Sequence, residues 1–267
     1  MKRPKCVHAF DIKFGRLLVE YLGGDPSPIK RHWCWADFAK AYPHLREKAE
    51  KYFETTRTGN PAQAAYSMVR YGSSREWAEG VIERAKTGDP SFVAHWMAHD
   101  HGSNREWAEG VIERSEIGNP AWSAYDMYRL GGSSREWAEG VIEKAQIGDP
   151  VTAAYHLAHD CGSSREWAEG VIERAKTGNP AEVACCMFNG CGSGREWAEG
   201  VIERAEIGNP AWDAYILVYH SGSSREWAEG VIERSKIGNP EKAARYMVYD
   251  CGSSEEWAAK IKQKFAS

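Results

Sequence analysis

A seven-residue stretch, Trp-Ala-Glu-Gly-Val-Ile-Glu, returns along this chain at a fixed step of 30 residues. Self-similarity at such a period is typical of stacked helical repeats, whose units bury their apolar faces against one another. Between the copies lie segments of similar length whose residues differ. The pattern predicts an all-α fold: an α-solenoid, a right-handed superhelix of stacked antiparallel helix pairs. The copies begin at Trp77, Trp107, Trp137, Trp167, Trp197 and Trp227, with an altered one at Trp257.

The predicted domain organisation follows from where the repeat begins. Residues 1–42 do not match it, although the apolar spacing of residues 12–22 suits a short helix, so we predict an N-terminal helical cap there. Residues 43–267 are predicted to form about seven two-helix repeats and a C-terminal capping helix. Lys260 and Lys262 stand where earlier copies have Gly80 and Ile82, which is typical of the polar outer face of a terminal repeat.

Composition favours a folded chain, since 42% of the residues are hydrophobic and 12 are Trp. The net charge of −4 argues against the strongly basic surface of many nucleic-acid-binding domains. Neither a stretch of about 18 apolar residues nor a secretory signal is recognisable, so we expect a cytoplasmic protein. The seven cysteines lack framework spacing and are predicted to be reduced thiols.

The constant segment is predicted to be an amphipathic helix. Ser73 and Glu76 have the spacing of a capping box. Ala78 and Ile82 fall on the apolar face, while the repeated glutamates are expected to form a solvated opposite face. Gly80 costs roughly 1 kcal/mol in a helix, and we expect a close approach of neighbouring backbone to explain it.

The variable segment opens with Asn or Asp before Pro, which predicts an N-cap followed by proline in the first turn. Counting from each proline, the fourth residue is always Ala and the seventh is Met or Leu, so both are predicted to be buried. A glycine about eleven residues after the proline is expected to end the helix.

The second, fifth, sixth and ninth residues after each proline form what we call the variable stripe. They share one helical face but no residue type, and Tyr, Trp, His and Arg, which are enriched in binding hot spots, dominate. Packing between repeats is the alternative use, above all at the fifth position, and we expect both uses. The predicted partner-binding residues are Tyr66, Arg70, Phe92, His95, Trp96, His99, Trp122, Tyr125, Asp126, Arg129, Tyr155, His156, His159, Trp212, Tyr215, Tyr219, Arg245, Tyr246 and Tyr249.

Metal binding and catalysis are weakly indicated. His95 and His99 stand four residues apart, so on a helix they could share an ion, but no H-E-x-x-H pattern accompanies them. Two Cys-His pairs near the N-terminus are zinc-competent, but their ligands are more closely spaced than in usual structural zinc sites. The repeated glutamates are evenly spaced, whereas an active site is one convergent cluster. We therefore predict no enzyme, no cofactor and no catalytic residue, and leave the two metal hypotheses open. The Cys-His pairs are Cys6 with His8 and His32 with Cys34.

The two-helix unit with a helix-closing glycine and an invariant alanine resembles the α-solenoid class, which includes tetratricopeptide, Sel1-like and pentatricopeptide repeats. The resemblance covers the architecture of residues 43–267 and carries no functional residue over. The constant scaffold with its aromatic-rich variable stripe predicts a non-enzymatic recognition module, and we expect the variable helices to bind a peptide or protein. Single-stranded nucleic acid read one base per repeat is the alternative, and no membrane partner is expected.

Overall fold

The computed structural model describes residues 19, 23–24, 43–56, 59–70 and 72–265. Within these ranges the chain forms α-helices, a short 3₁₀ helix at Pro43–Leu45 and no strand. The predicted all-α repeat fold is confirmed. The predicted cap over residues 1–42 lies almost wholly outside the described residues. The helices are α1 Arg46–Thr55, α2 Pro61–Val69, α3 Arg75–Glu83, α4 Pro90–His101, α5 Arg105–Glu113, α6 Pro120–Gly131, α7 Arg135–Lys144, α8 Pro150–Cys161, α9 Arg165–Arg174, α10 Pro180–Cys191, α11 Arg195–Arg204, α12 Pro210–Ser221, α13 Arg225–Arg234, α14 Pro240–Cys251 and α15 Glu255–Phe265.

The odd-numbered helices carry the constant sequence and the even-numbered helices the variable one, so we call them constant and variable helices. The chain divides into two compact units, Met1–Val141 (unit 1) and Ile142–Ser267 (unit 2). Inside each unit, neighbouring variable helices pack against each other, and the constant helix that follows packs against α2, α4, α8, α10, α12 and α14. This arrangement of stacked helix pairs is that of an α-solenoid.

The predicted starts of the variable helices are confirmed. Asn60 and Asp89 accept a hydrogen bond from the backbone N–H of the third helical residue, at 3.0 Å in both cases. The proline that follows tolerates this position because its missing N–H has no partner there in a helix. Asn209 is the exception, since its side chain accepts instead from the backbone N–H of Asn239, the N-cap of the next variable helix, at 3.0 Å.

The junction between a variable and a constant helix corrects the predicted capping box by one residue. Gly102 ends α4 with a φ of 67°, a conformation that favours glycine. In the equivalent junction before α3, the hydroxyl of Ser74, not Ser73, accepts from the N–H of Trp77 at 3.1 Å. Ser73 is buried, and its own N–H donates to the carbonyl of Met68 at 3.2 Å.

The core lies where the invariant residues predict it. The fourth-position alanines and seventh-position Met or Leu residues have at most 1% exposed surface in all seven variable helices. Ala78, Val81 and Ile82 of α3 are also buried, as are their equivalents in the other inner constant helices. Small residues at the fourth position permit neighbouring helices to approach closely.

The repeated glutamates do more than form a solvated face, which corrects that expectation. Trp107 Nε1 donates to Glu83 Oε1 of the preceding constant helix at 2.9 Å. In most repeats a tryptophan and a glutamate therefore join successive constant helices, although Trp167 Nε1 has no partner among the described residues. The same bond recurs as Trp137 to Glu113, Trp197 to Glu173, Trp227 to Glu203 and Trp257 to Glu233.

The first arginine of most inner constant helices makes a second link between repeats. Arg75 Nη1 donates to the carbonyl of Gly102 at the end of the next variable helix, 2.8 Å away. It satisfies a helix-terminal carbonyl that has no partner inside its own helix. The same bond is made by Arg46 to Gly72, Arg105 to Gly132, Arg165 to Gly192, Arg195 to Ser221 and Arg225 to Gly252.

The helical glycine has a different neighbour from the predicted one. A Cβ added at Gly80 would lie 3.1 Å from Nη1 of Arg84, a side chain of the same helix, and would meet no backbone of a neighbouring helix. At Gly140, where Lys144 replaces the arginine, no such atom lies within 4 Å. The glycine thus accommodates a folded-back guanidinium.

Candidate binding surface on the variable helices

The fifth position of the variable stripe is mostly buried. His95 has no exposed surface, and Tyr125, Cys185 and Tyr215 are also buried. His95, Cys185 and Tyr215 lie against the next variable helix, as the alternative interpretation expected for this position. Tyr215 shows why, because its hydroxyl donates to Asp250 of the next variable helix at 2.8 Å. These buried residues support the exposed residues of the variable stripe.

The ninth position is exposed in all seven variable helices, and the second and sixth positions are mostly half-buried. The accessible part of the stripe therefore consists of the second, sixth and ninth positions. Partner contact by these residues stays a prediction. The ninth-position residues are Arg70, His99, Arg129, His159, Asn189, Tyr219 and Tyr249.

In unit 1, α4 carries a continuous aromatic surface. The ring of Trp96 lies 6.0 Å from that of Phe92 and 5.5 Å from that of His99, both with steep interplanar angles. Below them, His95 stacks on Trp96 with ring centroids 5.0 Å apart. Edge-to-face and offset contacts of this kind hold aromatic rings in fixed orientations.

His95 is a neutral, buried imidazole. Burial lowers its pKa to about 4, and neither ring nitrogen has a hydrogen-bond partner among the described residues. Its nearest carboxylate is Asp126 of α6, 4.0 Å away. Burial raises the pKa of Asp126, and Arg129, 3.8 Å from that carboxylate, opposes the shift. The Arg129 guanidinium also lies 5.5 Å from the ring of Tyr125.

Tyr66, the fifth residue after the proline that begins α2, is joined to the end of α4. Its hydroxyl donates to Asp100, whose other oxygen lies 2.7 Å from His99 Nδ1. Burial, reinforced by the bond to Asp100, raises the pKa of Tyr66 to about 12. The tyrosine and histidine hydrogen bonds lower the pKa of Asp100, which favours its charged form.

In unit 2, α8 places two histidines on one carboxylate. Asp160 lies 3.0 Å from His156 Nδ1 and 2.6 Å from His159 Nδ1, and these bonds lower the pKa of the aspartate. The ring of Tyr155 stacks on that of His159 at 5.3 Å. At the second and fifth positions after its proline, α10 carries Glu182 and Cys185, which are not aromatic.

The densest aromatic group of unit 2 joins α12 and α14. Tyr246 contacts Trp212 edge-on at 5.4 Å and Tyr215 at 5.6 Å. Tyr215 in turn stacks on Tyr219 at 5.8 Å. The ammonium of Lys242 lies 4.5 Å from the centre of the Trp212 ring. Arg245 stands at the fifth position of α14 and is exposed, whereas the fifth-position residues of α10 and α12 are buried.

Asp213 was missed by the sequence analysis. It is the third residue after the proline that begins α12, and it is 5% exposed. The other variable helices hold only apolar residues or serine at this position. Its Oδ2 has no hydrogen-bond partner. Burial, and then repulsion from Glu182, raises its pKa to about 7. A charged residue at a register otherwise free of charge is the signal that could have revealed it.

Metal ligation gains no support from the described ranges, which contain no group of three or more His, Cys, Asp or Glu residues arranged to hold an ion. His95 and His99 lie together, with ring centroids 6.2 Å apart. The hypothesis for Cys6, His8, His32 and Cys34 falls outside the described residues. No described helix is long and apolar enough to cross a bilayer.

Comparison with known proteins gives no family assignment. No protein-family model matches the chain, and neither a curated protein nor a solved structure shows significant similarity to it. The function is therefore inferred from the geometry of the variable helices alone.

Proposed function

We propose that this protein is a non-enzymatic recognition scaffold that binds a peptide or protein through its variable helices. One observation carries the proposal: the four large apolar side chains that are exposed in the described part of the chain all lie on variable helices. Exposed aromatic surface of this kind is typical of interaction sites. The four residues are Phe92, Leu130, Tyr219 and Tyr249.

The proposal includes a tetratricopeptide-like use of the fold, in which one set of helices supports the other, and a cytoplasmic location. Single-stranded nucleic acid remains the second candidate, because aromatic rings also stack on bases. The stripe has few cations for phosphate contacts, which favours the peptide. Those cations are Arg70, Arg129, Lys242 and Arg245.

Selection of random peptides on the full chain, followed by affinity measurement with alanine variants, tests the proposal. Replacing Trp96, Tyr219 and Tyr249 should each weaken binding of a selected peptide by about tenfold or more where the peptide touches them, which is the usual effect of a hot-spot aromatic. Circular dichroism should show unchanged helicity, because these side chains are exposed or half-buried.

Matched controls are available on the opposite side of each repeat. Lys86→Ala and Lys236→Ala remove exposed side chains that follow constant helices and should leave affinity unchanged. If the aromatic variants bind as tightly as the wild type, or if the library yields no binder while random oligonucleotides are retained at low salt, the proposed function is wrong.

A further inference from the structure

The last two helices of unit 2, α14 and α15, line an open groove of 620 Å³. Its volume lies within the range of roughly 300–1,000 Å³ that is usual for ligand sites. The α14 side is formed by the variable stripe itself, through Lys242, Arg245 and Tyr249, and the α15 side includes Ala258 and Lys262. In α12 the equivalent fifth residue, Tyr215, is covered by α14, whereas Arg245 is open to the groove.

The side chains that line the groove carry a net positive charge. Lys242, Arg245 and Lys262 line it, and none of the three forms an ion pair with a described residue. Two carboxylates, Glu241 and Glu255, also line it, so the net charge is one positive in a chain whose net charge is −4. The first arginine of several constant helices differs, because Arg225 for example contacts both Glu226 and Glu229.

An apolar wall accompanies these cations. Tyr249 is 77% exposed, more than any other large hydrophobic residue that the structure describes. Val248, Ala258 and Ala259 extend the apolar surface beside it. The cations are also held near aromatic rings, since the Arg245 guanidinium lies 5.5 Å from the centre of Tyr246. Such contacts restrict where the charged groups can move.

We propose that this groove binds an acidic peptide segment. Glutamate or aspartate side chains of the peptide contact Arg245, Lys242 and Lys262, and a neighbouring apolar side chain packs on Tyr249. Guanidinium groups suit this ligand because their planar donors match a carboxylate. The inference rests on the proposed recognition function and names the chemistry of the partner.

Fluorescence anisotropy with the full chain tests the charge requirement. The probes are a labelled peptide of about ten residues that is rich in Glu and contains one Leu and one Phe, the same peptide with Lys in place of Glu, and an oligothymidylate of similar length. Only the acidic peptide should bind, and its affinity should fall as salt rises from about 0.05 M to about 0.5 M, because salt screens exposed charges.

Variants then assign the binding to the groove. The double variant Arg245→Gln/Lys262→Gln should weaken binding of the acidic peptide by about tenfold or more. Lys236→Gln, which removes an exposed cation outside this groove that also has no ion pair, should leave it unchanged. Both groove residues are exposed, so the double variant should keep the helicity of the wild type.

Three results would overturn the inference: equal affinity for the lysine peptide, capture of the oligothymidylate instead, or undiminished affinity of the double variant. Failure of the proposed function has a different signature. If library-selected peptides bind through the aromatic residues while the acidic peptide does not bind, only the groove assignment is wrong. If no peptide of either kind binds, both proposals are wrong.

Discussion

Constant and variable helices differ in where their polar side chains find partners. In the constant helices, Trp107 reaches Glu83 of the previous repeat and Arg75 reaches the end of the next variable helix. In the variable helices, the shared residues are the buried alanine and the Met or Leu, while the ninth residue is exposed in every copy. Many of the repeated residues are thus bonded to or packed against a neighbouring repeat, whereas variation is concentrated at exposed positions.

The largest expected effect separates two positions of α14. Met247→Ala removes a fully buried side chain and should lower the free energy of unfolding by about 3 kcal/mol. Tyr249→Ala, two residues along the same helix, should change it by no more than about 0.5 kcal/mol because the ring is exposed. Urea unfolding measures both. Similar losses for the two variants would contradict the division between shared and variable positions.

A pH effect is expected at Asp213, a carboxyl group at a buried position of a variable helix. Its pKa is raised from 3.8 to about 7, so the folded state retains a proton that the unfolded chain releases. The contribution of Asp213 to stability should therefore decrease as pH rises from about 4 to about 7, by up to about 1.4 kcal/mol per pH unit, and then level off, whereas His95, whose pKa is lowered to about 4, contributes in the opposite direction. Asp213→Ala should remove this decrease and be more stable than the wild type at pH 8, by roughly 2 kcal/mol or more.

The matched control for that titration is Glu182→Gln. Repulsion from Glu182 contributes to the raised pKa of Asp213, so this variant should lower that pKa without abolishing the pH dependence. Unfolding curves recorded across the pH range report both variants. A difference in stability between the wild type and Asp213→Ala that stays constant from pH 4 to pH 7 would show that Asp213 is ionised and solvated.

A smaller effect tests the bond between constant helices. Trp107→Phe loses the hydrogen bond to Glu83, whereas Trp77→Phe loses none, because Phe53 occupies the position of that glutamate in α1 and Trp77 Nε1 has no partner. Both variants lose similar ring area. Trp107→Phe should therefore be the more destabilising by about 1 kcal/mol in chemical unfolding. Equal costs would mean that the bond contributes nothing to stability.

The smallest effect concerns the helical glycine. Gly140→Ala should raise stability by about 1 kcal/mol, because the added methyl group meets none of the surrounding atoms within 4 Å. Gly110→Ala should gain less, since its Cβ would lie 2.9 Å from Arg114 Nη1 and the guanidinium must move. Thermal unfolding of the two variants measures the difference. A larger gain at Gly110 would contradict the accommodation of the arginine.

Much of the fold could be predicted from the sequence because its signals are local. Asn60 and Asp89 before proline mark helix starts, and Gly102 marks an end, since each acts through backbone geometry within a few residues. The choice between Ser73 and Ser74 was missed because adjacent serines offer the same hydroxyl. The turn itself decides, since it uses the N–H of Ser73 to satisfy Met68.

The candidate site was less predictable because it depends on how far apart the repeats stack and how each helix is rotated. Spacing places Tyr215 and Tyr219 on one helical face, yet the first is buried against α14 and the second is 54% exposed. Likewise, the glutamate at Glu83 could be assigned to solvent until the distance to Trp107 was known. Asp213 needed both the register and the burial of its neighbours.

The most direct test of this division of labour is the affinity of a selected peptide for a chain whose exposed ninth positions are all alanine. We expect the affinity of the peptide to fall by at least about tenfold, with the same unfolding temperature as the wild type. Wild-type affinity in that variant would contradict the claim that the variable helices hold the partner. The positions are Arg70, His99, Arg129, His159, Asn189, Tyr219 and Tyr249.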